Sequence, residues 1–186
     1  MAKSSLKSKL KNVPVTQPVR IDLGCGPNKR EGFIGVDARQ FDGKVDIVHD
    51  LRKAWPWKDG SVDEVHCSHF LEHLSGEERL HFFNELYRVL RKDAKASIIV
   101  PHWSSGRAYG DVTHQWPPVV EFFWYYLDRN WRTQNAPHVD FECDFAVTWG
   151  YNVRQDWQAR SQETQLFGVN HYREIAQDMI ATAVKR

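Results

Sequence analysis

Four short apolar runs in the first 67 residues constrain the fold of the chain more than any other feature. They span residues 19–23, 33–36, 45–48 and 62–67, and they are rich in β-branched and other apolar side chains between Gly, Asp and Lys. Runs of this kind are typical of strands that are buried in a parallel sheet. We therefore expect four parallel strands at the start of the fold.

One amphipathic helix and a fifth strand should follow these runs. Ser75 and Glu78 have the spacing of a capping box, and apolar residues then recur at helical intervals, which predicts a helix from Ser75 to about Arg91. The "KDAK" segment at 92–95 predicts a turn. Residues 96–100, "ASIIV", predict the fifth strand.

The later part of the chain is expected to complete the sheet. The segment "VVEFFWYYL" at 119–127 predicts a helix that is buried on both sides, residues 140–151 predict one or two strands at an antiparallel edge, and residues 168–186 have helical spacing. Strands separated by crossovers predict an α/β fold with a Rossmann-like, doubly wound, mostly parallel sheet and an antiparallel edge strand.

Length, charge and cysteine content limit the classes of protein that this chain can represent. With 186 residues and a net charge of +1, it is expected to form one domain without a general attraction to nucleic acid or anionic membranes. No apolar stretch approaches the roughly 20 residues that span a bilayer, so we expect a soluble, cytoplasmic protein. The three cysteines, Cys25, Cys67 and Cys143, form no C-x-x-C pair, which favours a reducing compartment over a disulfide framework or a zinc ribbon.

The first 18 residues differ in composition from the rest. They are basic and contain Ser, Pro and Gln but no acidic residue. This composition predicts a solvated, flexible tail, with a weak contact to an anionic partner as the alternative.

The glycine turn after the first strand, "DLGCG", does not match a dinucleotide site. It has no third glycine that opens a helix, and Asp37 follows Gly24 by 13 residues instead of the about 20 expected. Asp22 also places a negative charge where a pyrophosphate would lie. A phosphate-free, cationic nucleoside fits better, because Asp37 can accept hydrogen bonds from both ribose hydroxyls and Asp50 can accept from an adenine amino group.

The pieces "IDLGCGP", "FIGVD", "VDIVHDL", "WPWKDGSVDEVHCSHFLEHL" and "ELYRVLRKDAKASIIVP" together resemble the class I S-adenosylmethionine-dependent methyltransferases, and within them the type 11 domain group. The resemblance covers about residues 19–101. It implies the class I methyltransferase fold, S-adenosylmethionine as the cofactor, and one domain over residues 19–186 with a loop and helix on the substrate side at 102–131. The short link between the first two strands departs from the family, since it leaves no room for the usual helix.

The resemblance also implies which residues bind the cofactor. The amino-acid and sulfonium end would lie against the glycine turn, the ribose against Asp37, the adenine against Asp50 and Leu51, and the methyl group near the residues that follow the fourth strand. The implied set is Asp22, Leu23, Gly24, Cys25, Gly26, Asp37, Asp50, Leu51, Ser68 and His69, with Phe70 beside it.

The loop beyond Pro101 is the expected place for catalysis. The segment "GDVTHQW" resembles a D-P-T-H element of some small methyltransferases, with Val112 in place of proline. We expect His114 to act as the general base for an oxygen acceptor, with Asp111 orienting it and His102 as second choice. The acceptor would be an O or N atom of a small-molecule, glycan or lipid-type compound.

Three alternatives stay open at this point. An RNA or protein methyltransferase would use the basic tail and the aromatic loop to hold its substrate, and a catalytically silent scaffold would only bind the cofactor. A zinc metallopeptidase is the third, because "HFLEH" from His69 to His73 fits H-x-x-E-H, with Glu72 as general base and His66 nearby. The favoured interpretation expects no metal ion in the site.

Overall fold

A computed structural model describes residues 18–186, which contain one seven-stranded sheet. The strands are β1 Arg20–Leu23, β2 Ile34–Asp37, β3 Ile47–Val48, β4 Val62–Ser68, β5 Leu90–Pro101, β6 Phe145–Val153 and β7 Ala176–Lys185. Their order is β3-β2-β1-β4-β5-β7-β6, and β7 runs antiparallel to both of its neighbours while the other pairs are parallel. The predicted α/β class, with a mostly parallel sheet and antiparallel pairing at one edge, is confirmed.

The helices lie between the later strands. They are α1 Gly76–Val89, α2 Arg107–Gly110, α3 Arg129–Asn135 and α4 Gln162–His171, with 3₁₀ helices at Leu71–His73, Glu121–Leu127 and Gln155–Trp157. The predicted capping box of α1 is present, because the Ser75 hydroxyl accepts from the Glu78 amide at 3.3 Å and the Glu78 carboxylate accepts from the Ser75 amide at 2.8 Å. Such a cap contributes about 1 kcal/mol to helix stability.

The core occupies one face of the sheet. Ile21, Val36, Val65 and Ile98 project to this face and share a buried cluster with Phe82 of α1. Burying apolar side chains between a sheet and a helix supplies most of the driving force for such a fold.

The opposite face of the sheet is polar. Paired positions on it include Arg20 with Glu64 and Asp22 with His66. Within residues 18–186, no helix lies between β1 and β4. The predicted lack of room for a helix between β1 and β2 is confirmed, and polar side chains stand where a second helical layer would require apolar ones.

The helix prediction is wrong at the end of the chain. Residues 168–186 contain the end of α4 and the whole of β7 instead of one helix. Met179, Ala181 and Ala183 are buried and alternate with Ile180 and Thr182, so the period is that of a strand. Pairing with β5 and β6 outweighs the local helical preference of the alanines.

Two further local predictions were wrong. Residues 92–95 lie within β5 instead of a turn, although Asp93 has a φ of +64° and the pairing of β4 with β5 shifts register there. The segment at 119–127 forms a 3₁₀ helix over Glu121–Leu127 that is buried on one side only, since Phe122 is 55% exposed.

None of the helices in residues 18–186 has the length and hydropathy needed to cross a bilayer. The prediction of a basic tail concerns residues 1–18, of which residues 1–17 lie outside the described part of the chain.

Candidate active site

The turn after β1 brings the backbone close to the carboxyl ends of β1 and β2. Gly24 has a φ of +67°, and the amides of Gly24 and Cys25 donate to the Val36 carbonyl at 2.8 and 3.1 Å. A Cβ atom on Gly24 would lie 2.5 Å from the Phe70 ring. Only glycine fits this position without displacing its neighbour.

The carboxylate of Asp37 holds this turn and also faces a cavity. Its Oδ2 accepts from the Gly26 amide at 3.0 Å and its Oδ1 accepts from the Arg39 amide at 3.1 Å. A carboxylate oxygen can accept two hydrogen bonds, so each oxygen has capacity for one more. Two adjacent acceptors at the end of β2 suit the vicinal hydroxyls of a ribose.

The cavity beside Asp37, called here the cofactor cavity, has a volume of about 400 Å³. Five of the predicted cofactor residues line it, namely Gly24, Asp37, Asp50, Leu51 and His69. It is also lined by residues that the sequence did not indicate, among them Arg39, Phe41, Arg52, Leu74 and Thr113. The sequence gives one hint for three of these residues: Arg39 and Phe41 closely follow Asp37, and Arg52 closely follows Asp50, two acidic residues at predicted strand ends.

Asp50 is already paired within this cavity. Arg52 donates from Nε to Oδ1 at 2.9 Å and from Nη2 to Oδ2 at 3.1 Å. This hydrogen bonding lowers the pKa of Asp50. An adenine amino group would therefore share the carboxylate with Arg52.

The other predicted cofactor residues are not among those that line the cavity. Asp22 is buried and its Oδ2 accepts from the Arg30 amide at 2.8 Å, and burial raises the pKa of its carboxyl. Leu23 is fully buried, the Gly26 amide donates to Asp37, and Ser68 is the last residue of β4. Asp22, Leu23 and Gly26 therefore support the turn and the sheet beneath the cavity.

Cys25 is shielded in the same turn. Burial and the charges of Asp22 and Asp37 raise its pKa to about 11, and burial raises the pKa of Cys143 to about 12 and that of Cys67 well above its usual value. At about pH 8 only about one thiol in a thousand is then a reactive thiolate.

We expect the native protein to show no rapid reaction with Ellman's reagent, whereas the unfolded protein should react at all three thiols. Fast labelling of a native thiol would contradict this environment.

A second cavity, called here the acceptor cavity, adjoins the first and has a volume of about 630 Å³. The two share His69 and His73. The acceptor cavity is lined by His69, Glu72, His73, Pro101, Arg107, Gly110, Asp111, Val112 and His114. Most of this lining is polar or charged, and it comes from the segments that follow β4 and β5.

A network of charged groups connects the segment after β4, β7 and the loop after β5, since His69 Nε2 lies 3.8 Å from Asp178 Oδ1. His69 Nδ1 lies 3.2 Å from Glu72 Oε1, and Arg107 Nη1 lies 2.9 Å from Asp178 Oδ1. Glu72 and Asp178 are almost completely buried. The hydrogen bond to Glu72 raises the pKa of His69 at this junction of the two cavities.

His114 lines the acceptor cavity as expected, but Asp111 does not orient it. His114 Nδ1 donates to the Ala108 carbonyl at 3.1 Å. Asp111 Oδ1 instead accepts from the Thr113 amide at 2.8 Å and from its hydroxyl at 2.6 Å, and Thr113 Oγ1 lies 2.9 Å from His73 Nδ1. Asp111 therefore acts through Thr113 on His73, whose ring packs against that of His114 with centroids 4.8 Å apart.

His102, the second choice for the base, lies elsewhere. Its side chain is fully buried, with Nδ1 2.8 Å from the Ser104 hydroxyl and Nε2 2.8 Å from Glu121 Oε1. A histidine with both nitrogens engaged and no exposed surface cannot contact an acceptor. The expectation of a catalytic His102 is corrected to a structural role at the end of β5.

The metallopeptidase alternative is not supported by the backbone. Its two histidines must lie one turn apart on an α-helix, whereas His69 has a φ of +53° and only Leu71–His73 is helical, as a 3₁₀ turn. His66 lies on β4, with Nδ1 3.2 Å from Arg30. The H-x-x-E-H pattern is therefore coincidental as a peptidase motif.

Comparison with known proteins gives one family and a group of solved structures. The family described as a methyltransferase domain matches residues 31–98, which include β2 to β4, α1 and most of β5. No curated protein sequence matches the chain.

Several solved structures share the fold of this chain. A SAM-dependent methyltransferase from Archaeoglobus fulgidus superposes with a TM-score of 0.67 at 21% identity, over 98% of this chain and 92% of that one. A SAM-dependent methyltransferase from Methanosarcina mazei gives 0.57 at 13% identity, over 95% and 96%. Geranyl diphosphate C-methyltransferase from Streptomyces coelicolor, crystallised with S-adenosyl-L-homocysteine, gives 0.50 at 14% identity, over 100% and 78%.

Proposed function

We propose that this chain is a class I S-adenosylmethionine-dependent methyltransferase that transfers the methyl group to an oxygen or nitrogen atom of a small polar acceptor; the family match and the shared fold support this. The observation that carries the proposal is the acceptor cavity of about 630 Å³, which meets the cofactor cavity at His69 and His73. Cavities of roughly 300 to 1,000 Å³ are typical of small-molecule sites.

The residues of the cofactor cavity fit an S-adenosyl nucleoside. Asp37 would accept hydrogen bonds from the ribose, Leu51, Phe41 and Leu74 offer apolar surface to the adenine, and the bare backbone at Gly24 permits close approach. When bound, the cofactor supplies a methyl group on a positively charged sulfur. The cavity surface would be supported from beneath by the remaining predicted cofactor residues, which are Asp22, Leu23, Cys25, Gly26 and Ser68.

The polar lining of the acceptor cavity indicates the class of acceptor. An apolar acceptor would displace water from the histidine, arginine and carboxylate side chains without replacing the lost hydrogen bonds, which is costly. An acceptor with several hydroxyl, amino or carboxyl groups is therefore favoured over an apolar chain. The acceptor's lone pair would form the new bond to carbon while the carbon–sulfur bond breaks and its electrons stay on sulfur. Holding the two reactants in line supplies much of the acceleration.

An oxygen acceptor must also lose its proton, and His114 is the candidate base. Because its Nδ1 donates to the Ala108 carbonyl, the Nε2 atom of the neutral ring carries the lone pair. The ring lines the acceptor cavity. General base catalysis by such a group contributes about 100- to 10,000-fold to the rate.

The test is a transfer assay with radiolabelled S-adenosylmethionine and a panel of hydroxylated and amino small molecules. We expect label in one chemical class of acceptor, and a loss of about 100-fold or more in kcat for His114→Ala, with the exposed His138→Ala as the matched control. Label found only in RNA or protein would contradict the small acceptor. A His114→Ala rate within a fewfold of wild type would contradict the base.

A further inference from the structure

We propose that Glu72, His73 and His114 bind a divalent first-row metal ion in the wall of the acceptor cavity, where the ion would also bind an oxygen of the acceptor. One potential ligand atom from each of the three residues lies within 4.8 Å of the others, and all three line the cavity. The role toward the acceptor rests on the proposed function, whereas the binding of the ion does not. The sequence analysis expects no metal ion in the site. The three residues come from two segments that are distant in the sequence, so their proximity is visible only in the structure.

Both imidazole rings are held with Nε2 available as a ligand. The single hydroxyl hydrogen of Thr113 is donated to Asp111 at 2.6 Å, so Thr113 Oγ1 must accept from His73 Nδ1. The Ala108 carbonyl can only accept, so His114 Nδ1 also carries its hydrogen. Among residues 18–186 neither Nε2 has a hydrogen-bond partner, and a neutral imidazole with a free ring nitrogen is the form that binds metals.

Glu72 supplies one carboxylate oxygen that lacks a hydrogen-bond partner. It is 4% exposed, and while Oε1 lies 3.2 Å from His69, Oε2 is buried with no hydrogen-bond partner in the described structure. A buried carboxylate oxygen without a partner is costly, and a bound cation removes that cost. Two histidines and one carboxylate on one side of an ion, with open positions opposite, are typical of Zn²⁺ and Fe²⁺ sites.

The charged groups around this set tolerate a cation. Arg107 is paired with Asp178 at 2.9 Å. The Arg79 guanidinium donates to the carbonyls of Leu71 and Pro117 and is also attracted by the Glu72 carboxylate, so it competes with the ion for that charge. Asp111 adds a further negative charge through Thr113. Ligands about 2.1 Å from a tetrahedral ion lie about 3.4 Å apart, and the potential ligand atoms of the three residues lie within 4.8 Å of one another, so they need to approach by at most about 1.4 Å.

Outer hydrogen bonds complete the arrangement. The Asp111–Thr113–His73 chain is of the kind that fixes the ring orientation and tautomer of a metal-bound histidine. An ion in this position would lower the pKa of a bound hydroxyl, and the released proton would pass to solvent before the methyl transfer. With the ion bound, His114 would act as a ligand and the ion would promote loss of the proton, whereas the base role proposed above belongs to the metal-free enzyme.

The test is titration of the metal-free wild-type chain with Co²⁺ or Zn²⁺, followed by calorimetry and by the visible absorption of Co²⁺. We expect one ion per chain with a spectrum of four- or five-coordinate Co²⁺. Thr113→Val should weaken binding about 10-fold, His73→Ala and His114→Ala should weaken it by more than about 100-fold, and the exposed His138→Ala should have no effect. Circular dichroism checks that each variant is folded.

The outcomes separate the metal site from the proposed function. If wild type binds no more Co²⁺ than the His73→Ala/His114→Ala double variant, the metal site is overturned, whatever the enzyme does. If Co²⁺ binds as expected but no acceptor takes up label and S-adenosylhomocysteine does not bind, the proposed function fails while the site stands. Ion removal by a chelator that leaves the transfer rate unchanged would overturn the role of the ion in catalysis.

Discussion

Replacement of Gly24 by alanine is expected to lower the free energy of unfolding by about 2 to 4 kcal/mol and to abolish measurable S-adenosylhomocysteine binding. Two causes combine. The backbone has a φ of +67°, which a side chain disfavours, and the new Cβ would lie 2.5 Å from the Phe70 ring. Because Gly24 and Phe70 both line the cofactor cavity, a shift of the ring or of the turn changes the surface that the cofactor would contact.

Gly60→Ala provides a matched control for this prediction. Gly60 has a φ of +60°, but a Cβ there meets nothing within 4 Å. It should therefore show the backbone strain alone, about 1 kcal/mol, with unchanged cofactor affinity. Equal effects of the two substitutions in thermal unfolding and in calorimetry would show that the close approach of Gly24 to Phe70 is unimportant.

Asp37→Ala is expected to weaken S-adenosylhomocysteine binding by about 30- to 150-fold, or about 2 to 3 kcal/mol. The substitution removes both proposed acceptors for the ribose, and it also releases the Gly26 amide that Asp37 Oδ2 holds at 3.0 Å. Fluorescence or calorimetric titration measures the change. Asp156→Ala is the control, because Asp156 pairs with Arg154 on the surface; a similar loss in both variants would mean that Asp37 has no special role.

The parallel half of the fold could be predicted from short-range signals. The apolar runs of β1, β2 and β4 are bounded by Gly, Asp and Lys, and the capping box marks the start of α1. The sequence predicts a helix where the antiparallel strand β7 lies, because Met179 and Ala183 satisfy both helical and alternating spacing. Its register comes from β5 and β6, and pairing between distant segments leaves little local signal.

The sequence likewise predicts one part of the candidate site and not the other. Gly24 and Asp37 follow strands directly, so their place at the sheet edge can be read from the sequence. The acceptor cavity depends on the contact between the loop after β5 and the 3₁₀ turn after β4, where the Gln115 amide donates to the Glu72 carbonyl at 2.8 Å. No sequence motif indicates that contact, so the sequence places Asp111 beside its neighbour His114, whereas in the structure Asp111 acts through Thr113 on His73.

The most direct test of the account is calorimetric titration of the wild-type chain with S-adenosylmethionine and S-adenosylhomocysteine, beside Asp37→Ala. The account predicts saturable one-to-one binding of both ligands by wild type and clearly weaker binding by the variant. Absence of binding to wild type, or the same affinity in wild type and Asp37→Ala, would contradict the cofactor site at the carboxyl ends of β1 and β2.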